Sequence, residues 1–135
     1  MDLDKSRRVI RGDWCNELAP GGPYFTVSYQ QGGVNLPEVE TLVYLGSIQF
    51  DDVEGQSTTR FMFQLARSYQ EDGDWTELPE ARRGELATDA EVMFYDEGGV
   101  GSIADIDGLL VLLTDLRDTC AAAWVGTTSC LPEER

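Results

Sequence analysis

The sequence predicts an α+β domain, an antiparallel sheet of about four strands with a long C-terminal helix packed on one face. Three observations predict it. Two alternating apolar runs, residues 40–50 and 58–69, flank a short polar turn. Single alternating runs lie before and after them, at 24–30 and 90–95. A broad apolar face with a helical period extends from Ser102 to about Ala123.

The N-terminal segment, residues 1–23, is open to two readings. Ile10, Trp14 and Leu18 recur every four residues, as on one helix face, while Gly12 argues against a helix. Ala19-Pro20-Gly21-Gly22-Pro23 breaks the chain. Tyr24 to Gln30 reads as a strand, with Phe25, Val27 and Tyr29 alternating with Thr26 and Ser28. Gln31 to Pro37 reads as loop.

In the next run Leu42, Tyr44, Ile48 and Phe50 share one parity. Val43 and Leu45 interrupt the alternation, which implies a middle buried on both faces. Gly46 implies a bulge or a close backbone approach. Asp51 to Ser57 is a polar turn, and Thr58 to Tyr69 is the second strand, with Phe61, Phe63, Leu65 and Tyr69 facing one way. The pair makes a β-hairpin.

Residues 71–89 form the most polar region, in which Pro79 can start a short helical turn. Ala90 to Tyr95 is a further strand, and Asp96 to Gly101 a flexible turn. Ser102 is the expected N-cap of the long helix, with Asp105 at the capping-box position and Asp107 beside it at the positive end of the dipole. Ile103, Ile106, Leu110 and Leu113 make one stripe, widened by Leu109, Leu112 and Leu116. Residues 126–135 read as a frayed tail.

The length of 135 residues suits one domain, 1–135. Its charge is unusual, with 25 acidic residues against 10 basic ones and a formal net charge of −15. Lys5, Arg7, Arg8 and Arg11 hold four of the ten bases, so residues 12–135 carry 23 acids and 6 bases. Such a field repels nucleic acid and anionic membranes and favours basic protein surfaces. The charged start leads into no apolar signal core, and the longest apolar runs fall short of the ~20 residues of a membrane span. The expectation is a soluble cytoplasmic protein. Cys15, Cys120 and Cys130 are odd in number and widely spaced, which fits reduced thiols better than a disulfide framework.

The chain has no histidine. That removes Ser–His and Cys–His nucleophile pairs and His-based zinc sites. Asp72-Gly73-Asp74 resembles the start of a calcium loop, but Thr76 and Glu77 stand where that loop needs Asp or Asn and then Gly. Gly98-Gly99-Val100-Gly101-Ser102 precedes a helix as phosphate loops do, yet lacks their Gly-Lys ending and is ringed by acids. No catalytic residue, metal ligand or cofactor is therefore assigned.

What remains is the acidic surface. Glu71 to Asp107 contains twelve acids and two arginines, with Tyr69, Trp75 and Tyr95 in or beside it. The residues expected to meet a partner are Asp51, Asp52 and Glu54 in the hairpin turn and Tyr69, Glu71, Asp72, Asp74, Trp75 and Glu77 after it. The acids steer encounter and the aromatics supply buried contact. The expected partner is a basic protein such as a toxin, a nuclease or a nucleic-acid-binding protein, whose cleft the acidic domain masks as an inhibitor or immunity-type binder. Two alternatives stand beside it: an acidic housekeeping domain from a salt-adapted or GC-rich source, and a carboxylate-based enzyme or small-ligand binder.

Overall fold

The computed structural model describes residues 3–29 and 37–126. The described chain is α+β. Its strands are β1 (Leu3–Asp4), β2 (Arg8–Val9), β3 (Glu17–Leu18), β4 (Pro23–Tyr29), β5 (Pro37–Asp51), β6 (Ser57–Leu65) and β7 (Val92–Tyr95). Its helices are α1 (Ala66–Asp72), α2 (Glu80–Thr88), α3 (Glu97–Val100) and α4 (Ile106–Gly126), with a 3₁₀ turn at Trp75–Glu77.

Five strands form one antiparallel sheet, one more than expected. The hairpin β5–β6 is its centre, β7 lies outside β6, and β4 and β1 pair with successive halves of β5. The N-terminal segment contains no helix among the described residues. Its four-residue spacing is instead used by a small antiparallel pair, β2–β3, which turns Ile10 and Leu18 inwards.

Register explains how the sheet is covered. The β5–β6 pairing shifts between Tyr44 and Gly46, a bulge at the glycine that the sequence marks. Before it, Leu42 and Tyr44 face the same side as Phe63 and Leu65; after it, Ile48 lies opposite Arg60 on the other side. The shared parity of Leu42, Tyr44, Ile48 and Phe50 is thus broken, because one extra residue reverses every side chain that follows. Residues 42–48 are all buried, as the interrupted alternation implies.

Each face has its own core. On one face Tyr24, Leu42, Tyr44, Phe61 and Phe63 pack with Ile10, Cys15 and Leu18 of the N-terminal arm and with Val100 and Ile103. Tyr44 and Phe63 have ring centroids 5.2 Å apart, and Tyr95 meets Phe63 edge-on at 5.6 Å. On the opposite face Leu45, Ile48, Met62 and Val92 pack with Trp75 and Leu86. The second strand therefore ends at Leu65, not Tyr69: the chain turns into α1, which sets Tyr69 on the opposite face from Phe61 and Phe63.

Helix α4 does not begin at Ser102. The Asp105 carboxylate accepts the Gly108 N–H at 2.7 Å and so caps it, while the Ser102 hydroxyl donates to Gly99 O. Leu109 is buried, but Ile106 and Leu110 of the expected stripe are more than half exposed, at 54% and 56%. The N-terminal arm and residues 97–109 cover one face of the sheet, where α4 meets β4, and residues 66–88 cover the other. The segment expected to fray, beyond Gly126, and most of the expected loop 31–37 lie outside the described residues.

Gly46 carries a φ of +141°, and a Cβ there would stand 2.7 Å from the Asp4 carbonyl oxygen. Gly46→Ala is expected to lower stability by about 2 kcal/mol, read as a reduced urea midpoint at unchanged slope.

Candidate functional site

The expected contact residues separate into two groups with different fates. Asp51, Asp52 and Glu54 sit at the tip of the β5–β6 hairpin, all exposed. The tip is ordered by its own hydrogen bonds. Asp52 Oδ1 accepts the N–H of Glu54 at 2.8 Å and of Gln56 at 2.9 Å, and the Asp52 N–H donates to Gln56 O at 2.9 Å. Val53, between these acids, is fully exposed, and Phe50 is half exposed with the Arg60 guanidinium over its ring at 5.5 Å.

The residues from Tyr69 to Glu77 are spent within the molecule. Trp75 is 8% exposed; its indole N–H donates to Arg83 O at 2.9 Å, and it meets Phe94 edge-on. It is a core residue, so its burial corrects the expectation of an aromatic anchor on the surface. Tyr69 is half-buried against the same core. Asp72 pairs with Arg82 at 2.8 Å, Glu71 with Arg67 at 3.8 Å, and Asp74 and Glu77 with Lys5 at 2.9 and 3.4 Å. These carboxylates are drawn together around bases of the same chain, and no hydrogen bond or ion pair among the described residues joins them to the hairpin tip.

Two residues that sequence reasoning passes over organise this region. Gln64, fully buried in β6, donates from Nε2 to the Ser68 hydroxyl and to Gly73 O, both at 3.0 Å, and accepts the Trp75 N–H at 2.9 Å. A polar residue within the apolar run 61–65 is the signal that could have marked it. Lys5, the chain's one lysine, reaches across from the arm. Its ammonium is held above its ordinary pKa by the hydrogen bond to Asp74. For Asp74, burial acts to raise the carboxyl, but hydrogen bonds from Thr76 and Lys5 outweigh it and hold the group below the usual carboxylate range.

Several cavities open on the surface among the described residues. One of about 360 Å³ is lined by Arg8, Ile10, Arg11, Phe61, Glu97 and Val100 among others. A shallower one of about 310 Å³ lies between Ser57–Thr59 and Asp96–Gly98. A third, about 220 Å³, collects Asp13, Asp105 and Asp107 beside Cys15, with the Asp105 carboxylate committed to the α4 cap. The Cys15 thiol donates to Glu17 O, and burial pushes its pKa up, the opposite of an activated nucleophile. Among the described residues no group of three potential ligands is placed to hold a metal ion, and no helix is long and apolar enough to cross a membrane.

Compared with known proteins, the chain matches no family model, and no match is found among curated proteins or solved structures.

Gln64→Leu leaves the Trp75 N–H, Gly73 O and the Ser68 hydroxyl without their partner. The expected cost is about 2–4 kcal/mol, with Trp fluorescence shifted to the red in the native state. The depressed Asp74 makes a second prediction. Its contribution to stability is present above about pH 4, where the unfolded carboxyl is also ionised, and is lost as the pH falls through its lower native value. Between about pH 5 and 2 the wild type is therefore expected to lose more stability than Asp74→Asn, measured by urea unfolding at each pH.

Proposed function

We propose that this chain is a non-enzymatic binding domain of the cytoplasm that meets a basic protein partner through the tip of its long hairpin, in the manner of an inhibitor or immunity-type protein. The observation that carries the reading is the ordered tip itself, a fully exposed Val53 set between the exposed carboxylates of Asp51, Asp52 and Glu54. Because Asp52 already fixes the turn, little conformational entropy is lost when a partner closes on it.

The distribution of bases supports the same surface. Lys5, Arg7, Arg8, Arg67, Arg82 and Arg117 each lie in an ion pair with an acid of the chain. Arg60 and Arg83 lie over aromatic rings. The carboxylates at Asp51, Asp52 and Glu54 have no such base among the described residues, so their field projects outwards and steers a cationic partner.

The strand edge beside the tip adds a second means of contact. Asp52 and Gln56 form a hydrogen-bonded pair. Alternation from that pair turns the backbone groups of Thr58 and Arg60 towards β5 and those of Ser57 and Thr59 outwards. β7 pairs with β6 only along Phe61–Gln64, so this outward edge is open, with Asp96 and Glu97 across the shallow cavity from it. An extended basic segment of the partner suits that step. In this reading Leu109, Leu112, Leu113 and Leu116 close the long C-terminal helix over the sheet at β4, away from the tip, and leave the hairpin end free.

The rival is an acidic surface that serves only solvation in salt. Exposed acids on other parts of the molecule favour it: Asp89 after α2, and Asp107 and Asp115 on α4. The double variant Asp51→Asn/Glu54→Gln separates the two, since neither side chain holds the turn. Affinity capture from the native host is expected to retain a basic protein on the wild type and to lose it on the variant. The same protein is expected to be released by about 0.5 M salt, where the screening length falls to a few ångström. Equal retention by both forms overturns the proposal. A melting temperature that climbs equally steeply with salt in both forms, with no retained partner, establishes the rival.

A further inference from the structure

The cavity of about 360 Å³ carries an inference that does not rest on the hairpin-tip reading. It lies between the arm residues 8–11 and α3, over the sheet face that holds the aromatic cluster. Phe61 forms its floor, and Ile10 and Val100, at 8% and 3% exposure, wall it. The Arg8 guanidinium lies over the Phe61 ring at 5.6 Å. Its contact with the Asp4 carboxylate is long, 3.6 Å, and the Ser47 hydroxyl stands at 3.5 Å. The volume of about 360 Å³ is near the lower end of the ~300–1,000 Å³ typical of small-ligand pockets, too small for a dinucleotide-sized cofactor.

The charges facing this cavity are the informative part. Arg11 lines it and is exposed, with neither an ion pair nor an aromatic ring against it among the described residues, unlike the other described bases. Glu97 lines the same cavity, is also exposed, and likewise has no base paired with it among the described residues. A guanidinium and a carboxylate thus border one volume without neutralising each other. A simple anion placed there faces the Glu97 carboxylate, and a simple cation faces two guanidinium groups. A ligand carrying both charges satisfies both.

We propose that this cavity binds a small zwitterion of the α-amino-acid type with an apolar side chain. The carboxylate accepts hydrogen bonds from Arg11 and Arg8, whose planar forks suit it. The ammonium donates to Glu97, and the side chain lies on Phe61 between Ile10 and Val100. In a chain with a net charge of −15, the local guanidinium pair is what lets a carboxylate approach at all.

The test is isothermal titration of the full chain at low salt with L-leucine, L-methionine and L-phenylalanine, beside 4-methylpentanoate, which lacks the ammonium, and 3-methylbutylamine, which lacks the carboxylate. At least one amino acid is expected to bind about tenfold or more tightly than either single-charge analogue. Glu97→Gln is expected to weaken that amino acid about tenfold and to leave 4-methylpentanoate unchanged or improved, while Arg11→Ala weakens both. Both side chains are exposed and have no ion pair among the described residues, so unchanged melting temperatures of the two variants confirm that the fold is kept. Absence of heat from every amino acid up to about 10 mM, an analogue binding as well as its parent, or a Glu97→Gln variant with unaltered leucine, methionine and phenylalanine affinity overturns the proposal. Glu97 also borders the open edge beside the hairpin tip, so retention of a basic protein is read separately on Asp51→Asn/Glu54→Gln, which leaves this cavity intact.

Discussion

The bulge at Gly46 is the constraint on which the rest of the molecule depends. β5 is fifteen residues long and pairs with three other strands. Regular alternation along it would give the sheet one apolar face. The bulge between Tyr44 and Gly46 lets the first half of β5 show Leu42 and Tyr44 to one core, while Leu45 within it and Ile48 beyond it face the other. The missing side chain also admits the Asp4 carbonyl, so β1 can pair with Ser47 and Ile48 just past the bulge. Once β1 is seated there, Lys5 meets Asp74 and Glu77 beside one core, and Arg8 comes to lie on Phe61 of the other.

This placement divides the electrostatics of a base-poor chain. The arm carries four of the ten bases, and Lys5, Arg7 and Arg8 are engaged in ion pairs with acids of the chain. These contacts are mostly exposed and individually weak. Only Lys5 of the arm reaches residues 71–77, where it joins Arg67 and Arg82 in pairing with the acids there, while Asp51, Asp52 and Glu54 at the hairpin tip have no such base among the described residues. Which carboxylates are paired follows from what the arm, α1 and α2 can reach, more than from where acids are densest in the sequence.

Much of the fold was legible because it rests on local patterns. The hairpin followed from alternation around Asp51–Ser57, the two-sided burial of β5 from Val43 and Leu45, and the irregularity from Gly46. The arm was not legible, since the spacing of Ile10, Trp14 and Leu18 fits a helix as well as an irregular segment whose partners are remote in sequence. The exchange of Ser102 for Asp105 as cap depends on Asp105 N–H donating to Trp14 O, a contact across ninety residues of chain. The same limit applies to the candidate sites. The exposed tip acids could be named from turn composition, whereas the burial of Trp75 required knowing that Gln64 draws its backbone inwards. Nor could the juxtaposition of Arg11 and Glu97 at one cavity be seen without the sheet that brings arm and α3 together.

Cys15 sits beneath the seam between the arm and α4. It is 2% exposed, and a Cβ on Gly108 would collide with the carbonyl of the neighbouring Trp14, so the two segments touch without a side chain between them. At 2% exposure the sulfur is shielded from a thiol reagent while that seam is closed. The labelling rate of Cys15 is therefore a clock for detachment of the arm, separate from global unfolding. Because the same arm supplies Arg8 and Arg11 to the cavity, a ligand lodged there should slow the clock, which gives the protein an internal chemical reporter of occupancy.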